Sequence, residues 1–242
     1  MKTKLLFIFA IWALAVPLSA EEKKSDARAL VTAVMHSESE LKQIPFSEIV
    51  EAATGKKVIP FDTSKEADRE LLSKIGKAMD EVLKRMNETN SPAQKQRRIN
   101  EVSSHFENEM RRVLNELPGF ECDFPKTAQG KVQRSGYPDL RLVEKATKRV
   151  VYLDPKLYEK GSRASTLRTF YFEPKTDTNK INDDANHLIV GFEHDGRKDG
   201  LWKFLNWELV DVSRLRVRLK AEFQGSNRDL YQQELIVGTS RK

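Results

Sequence analysis

Asp139 and Asp154, with Lys156 two residues further on, are the side chains best placed to do chemistry together. They sit at the two ends of the hairpin-like stretch DLRLVEKATKRVVYLDPK. Residues 140–144 and 149–153 are rich in Leu, Val and Tyr, and Lys-Ala-Thr-Lys between them has the length of a four-residue loop. If Glu144 faces Arg149, the register runs straight back to Asp139 opposite Asp154, with Cβ atoms roughly 5 Å apart. Two facing carboxylates repel, and a divalent cation with a preference for hard oxygen ligands makes them favourable. The two-residue period of a strand then puts Lys156 on the face of Asp154, so an ammonium stands beside the cation. That equipment suits cleavage of a phosphodiester.

Pro138-Asp139, a gap of 14 residues and Asp154-Pro155-Lys156 resemble the PD-(D/E)XK signature of the restriction-endonuclease-like nuclease superfamily. The segment ahead of the hairpin is a strong helix containing His105-Phe106-Glu107, similar to the helix that often supplies an acidic residue in that superfamily. The resemblance covers roughly residues 91–231, and its sharp part is Glu107, Asp139, Asp154 and Lys156. It implies an α/β fold, a restriction-endonuclease-like mixed β-sheet core flanked by helices, here with an N-terminal helical extension. It implies catalysis by Asp139, Asp154, Lys156 and Glu107. It also implies Mg²⁺ or Mn²⁺ held by Asp139, Asp154, Glu107 and the Pro155 carbonyl, and nucleic acid as substrate, DNA ahead of RNA. Pro155 departs from the pattern: it keeps the carbonyl but cannot donate to a sheet ladder.

Periodicity supplies the elements that must position these groups. Apolar residues recur at helical spacing over 25–43, and Ser47 can cap a short helix ending at Gly55, with a short strand over 58–61. Thr63 and Glu66 have capping-box spacing ahead of the stripe Ala67, Leu71, Ile75, Met79, Val82, Leu83 and Met86. Ser91, Pro92 and Gln94 start another helix, which runs to Pro118-Gly119 and buries Ile99, Val102, Phe106, Met110, Val113 and Leu117. Glu107 lies at the edge of that stripe. Its bland alternative is a surface pair with Arg111. After the hairpin, strands are expected at 167–173, 187–193 and 201–209, with a turn at 195–200 and a further strand at 215–221 that has one apolar and one basic face. Ser226 can cap a final helix over 227–234.

Phosphate contacts are expected from Arg163, Ser165 and Arg168, and the basic strand face could follow a nucleic acid backbone. Arg163 as a solvated charge and the basic strand as a protected edge are the plainer alternatives. Other chemistry is thin. His187 and His194 are seven residues apart, which places them on opposite faces of a strand and argues against a shared zinc. Cys122 is the single cysteine, so no internal disulfide forms, and it has no local His partner. Neither a G-x-S-x-G elbow nor a phosphate-cradling glycine loop occurs. Trp202, Phe204 and Trp207 read as core.

Residues 1–20 carry Lys2 and Lys4, an apolar run and a small-residue end, and are read as a signal peptide, which places the protein outside the cytoplasm, secreted or periplasmic. No second apolar run is long enough to span a membrane. Removal of the leader lowers the net charge from +6 to +4, a mild excess that suits a polyanion. The chain divides into the leader, a helical region over 21–90 and a nuclease-like core over 91–242. Two functions follow: an exported metal-dependent nuclease, or a non-catalytic secreted or periplasmic binding domain on a degenerate nuclease-like fold.

Overall fold

The hairpin expected around residues 139–156 lies inside a larger sheet. The computed structural model describes residues 20–36, 41–167, 169–220, 222, 224–238 and 240, so all of the leader but Ala20 lies outside the described residues. In chain order the elements are α1 (Ala20–His36), β1 (Ile44–Pro45), α2 (Phe46–Thr54), α3 (Glu66–Met86), α4 (Ile99–Glu116), β2 (Phe120–Asp123), β3 (Leu140–Glu144), β4 (Val150–Glu159), β5 (Asn186–Lys198), β6 (Leu201–Asp211), β7 (Arg216–Val217) and α5 (Asn227–Leu230). Strands β2 to β6 form one five-stranded sheet in that order. β4 and β5 run parallel and the other pairs antiparallel, so the sheet is mixed. By their internal contacts the described residues fall into two units: Gln43–Val217, which holds the sheet, and a second unit containing α1 and α5. Among the described residues no helix is long and apolar enough to cross a membrane.

The hairpin register is the one the residue pattern predicts. Leu140 lies opposite Leu153 and Val143 opposite Val150, and the Glu144 amide donates to the Arg149 carbonyl at 2.9 Å. Strand alternation sorts the side chains into two cores. Leu140, Leu142, Val151 and Leu153 join the stripes of α3 and α4, where Phe106 packs on Phe192 and Phe204 with centroids 4.4 and 4.9 Å apart. Val150 and Tyr152 face the other way, into a smaller core with Phe46, Val50, Tyr137 and Ile181.

Several expected boundaries move, each for a tertiary reason. Thr63 does not cap α3, and Asp68 rather than Ala67 is buried in its first turn, because Asp68 accepts the Asp62 amide at 2.6 Å and pairs with Arg149 at 2.6 Å. The helix expected from Ser91 is only a 3₁₀ turn, Pro92–Lys95, before α4 begins. Gln94 is turned inward instead: its amide donates to the Met86 and Trp202 carbonyls and its Oε1 accepts the Trp202 amide at 2.6 Å, which ties the start of β6. The described residues of 167–173 form no strand; Phe170 and Phe172 pack edge-on against Phe46 and Tyr137 and find no ladder partner. The strand expected over 215–221 shrinks to β7, paired with β1, and the one over 58–61 to a single bridge from Val58 to Ala185. The β5–β6 turn is tighter than expected, at Asp199-Gly200 with φ of 52° and 81°, the left-handed pair that a two-residue hairpin requires.

Candidate active site

One step beyond the last ladder pair of β3 and β4, the same register sets Asp139 against Asp154. Asp154 is 2 % exposed and Asp139 is half-buried. The two carboxyls are close enough for the charge of one to act on the other. Burial first, then the negative charges of Asp154 and Glu107, push the Asp139 carboxyl up to about 8 against the opposing pull of Lys156. A proton shared between two buried acids relieves their repulsion, and a dication between them would do the same. Lys156 projects from the same face and its ammonium makes an ion pair with Asp154 Oδ2. Beyond that ion pair, Asp154 Oδ2 is buried and takes no hydrogen bond. Burial alone would weaken the Lys156 charge, but the carboxylates of Asp154 and Asp139 outweigh it and raise its pKa, so the group stays an ammonium.

Pro155 occupies a place where a missing N–H is tolerated. The β3 ladder ends at Leu153, while β4 continues to pair with β5 as far as Glu159, so beyond Leu153 one edge of β4 is open. The Pro155 carbonyl and the two aspartates are hard oxygen donors of the kind that a magnesium-type cation takes. Glu107 stands at the margin. Its helix α4 covers the opposite face of the sheet, and its Oε2 accepts from Arg134 at 2.7 Å, while Arg111 turns to Asp123 at 3.4 Å. Among the described residues no three His, Cys, Asp or Glu side chains gather as a metal cluster. The hairpin therefore brings Asp139, Asp154 and Lys156 together and leaves Glu107 bound elsewhere.

Of the residues expected at phosphate, Arg163 is exposed and pairs with Glu208 at 2.7 Å. Ser165 shapes a turn, its hydroxyl accepting the Leu167 amide at 3.2 Å. Arg168 lies outside the described residues. His187 and His194 point to opposite sides, one against Tyr137 and Tyr152, the other edge-on to Trp202. Cys122 is buried, and that burial pushes its thiol well above the ordinary range.

Two residues near the acid pair went unmarked by the pattern. Tyr137, two residues before Asp139, is buried and shares a hydrogen bond of 2.8 Å between its hydroxyl and His187 Nδ1. Lys180, 1 % exposed, donates from Nζ to the Gly136 carbonyl at 2.6 Å. Burial weakens its charge, while Asp139, Asp154 and Glu107 pull the other way. Lys180 sits in a polar stretch without periodicity, so no sequence signal distinguishes it from a solvated lysine.

A mixed sheet flanked by helices, with two acids and a lysine on one hairpin, defines a restriction-endonuclease-like protein. Residues 39–234 match the model of the Type II restriction enzyme MjaV family, and the chain belongs to that family. It is 35% identical over 209 residues to the type II restriction enzyme MjaV of Methanocaldococcus jannaschii, an alignment covering 81% of this chain and 89% of that protein.

Proposed function

We propose that this protein is a metal-dependent nuclease that hydrolyses phosphodiester bonds of DNA. The facing of Asp139 and Asp154 beside Lys156, in a member of a restriction enzyme family, carries the reading. Asp139, Asp154 and the Pro155 carbonyl would hold Mg²⁺ or Mn²⁺, with Glu107 acting at the margin through water. When bound, the cation supplies an acidified water and positive charge for the phosphoryl oxygens. Lys156 brings a permanent ammonium to the same face, where it orients the nucleophile and meets negative charge growing on the phosphate. Asp154 holds that ammonium in place through the ion pair. The apolar leader, which precedes the matched family segment, supports export of the activity; a mature N-terminus at Glu21, read by mass spectrometry of the native protein, is the expected result.

The deciding assay is cleavage of plasmid, linear DNA and RNA by the purified chain with Mg²⁺, Mn²⁺ or chelator, beside Asp154→Asn and Lys156→Ala. Metal-dependent DNA cleavage is expected, with each variant reduced at least about 100-fold. Lys156→Ala cleaving at the wild-type rate removes the proposed role of Lys156. Folded wild type that leaves every nucleic acid intact leaves the non-catalytic binding domain instead.

A further inference from the structure

The connection from β4 to β5, residues 160–185, crosses the sheet face that carries the acid pair and has no helix or strand among its described residues. A connection of that length without regular structure is uncommon in a compact fold unless it has a task. Phe170, Phe172 and Ile181 seat it on the smaller core, beside Tyr137 and Tyr152. Lys180 is buried next to Ile181, and burying an ammonium is costly unless its charge and protons are answered. One proton goes to the Gly136 carbonyl, three residues ahead of Asp139. Nearby carboxylates offset the charge in part, and burial still holds the Lys180 pKa below its ordinary value. Of the three that bear on Lys180, Glu107 is held by Arg134 and Asp154 by Lys156, while Asp139 has no ion-pair partner of its own among the described residues.

We propose that Lys180 is a positioning residue of this site: its ammonium ties down the Gly136 carbonyl, which fixes the segment that delivers Asp139 to Asp154, and its charge offsets the acid pair. The proposal rests on the nuclease reading and adds to it a residue from outside the hairpin. Lys180→Met keeps the length of the side chain and removes both charge and donor. Lys180→Gln keeps a donor without the charge, and Lys180→Arg keeps both.

Hydrogen exchange without DNA or metal, and single-turnover cleavage of DNA with Mg²⁺, together test it. In Lys180→Met the amides of Tyr137 and Asp139 should exchange at least about tenfold faster, with β4 and β5 protected as in wild type. Its cleavage rate should fall roughly 100-fold with KM changed less than about threefold, and Lys180→Arg should recover part of the rate. If Lys180→Met does not fold, Lys180→Gln carries the test, with a rate loss of about tenfold expected at unchanged KM. A folded Met or Gln variant that cleaves as wild type does, or unchanged exchange at Tyr137 and Asp139, overturns the role of Lys180 alone. Wild type that cleaves no DNA overturns the nuclease reading, and this role with it.

Discussion

His187 shows how much a single side chain can lean on its surroundings. Burial holds its imidazole neutral and lowers its pKa from the ordinary 6.5 to about 4. Between those values the unfolded chain takes up a proton that the folded chain refuses, so stability falls as pH drops from about 6.5 towards 4 and is unaffected above that window. The full loss is about 3 kcal/mol. Asp139, held near 8, gains stability over the same interval and opposes this fall, so urea titrations at pH 7.5 and pH 5 are read as a difference between proteins. His187→Phe, which cannot titrate, should gain about 2 kcal/mol on wild type between pH 7.5 and pH 5. An unchanged slope in the variant would show that His187 is not the group responsible. The residues proposed to be catalytic obey a different logic: Asp139 and Asp154 are placed where they repel, a tension that stability alone would remove and that a bound cation would turn to use.

Among the elements, α3 and α4 form the platform against which the hairpin strands are held, and their contacts to the sheet are close. An ideal Cβ on Gly76 of α3 would lie 2.8 Å from Cη2 of Trp207 on β6, a ring anchored by its Nε1 hydrogen bond to Asp80 at 2.7 Å. Alanine in a helix interior ordinarily improves on glycine by roughly 0.5–1 kcal/mol. Here the ring must move, so Gly76→Ala should destabilise by about 1 kcal/mol, and thermal melting of the variant above wild type would contradict the close approach. Phe106 of α4, fully buried between Phe192 and Phe204, carries more weight. Phe106→Ala should cost about 3–5 kcal/mol in chemical denaturation, with a loss under about 1 kcal/mol showing that the site collapses around the gap.

For the molecule as a whole, a cation held by Asp139 and Asp154 has to appear as added stability, because the unfolded chain has no such site. Mn²⁺ at tenfold over its dissociation constant should stabilise wild type by about 1.4 kcal/mol. Calorimetric melting with and without chelator reads this without any substrate. Asp154→Asn should show no such gain, and an equal gain in that variant would place the ion elsewhere on the protein.

The facing acids were legible in the residues because a hairpin closes between neighbours in sequence: once Glu144 meets Arg149, the two-residue period carries the pairing to Asp139 and Asp154. The stripes of α3 and α4 were legible for the same local reason, as was the separation of His187 from His194. Apolar alternation over 215–221 and aromatic content over 167–173 misled, since both measure the chance of pairing and not the presence of a partner. The parallel register of β4 on β5, the inward turn of Gln94, the capture of Glu107 by Arg134 and the arrival of Lys180 beneath Gly136 belong to the tertiary structure. Each joins residues whose meeting depends on how distant segments pack, and no local spacing encodes that. The sequence by itself determined the acid pair and the lysine beside it; the folded chain decided which other charges surround them.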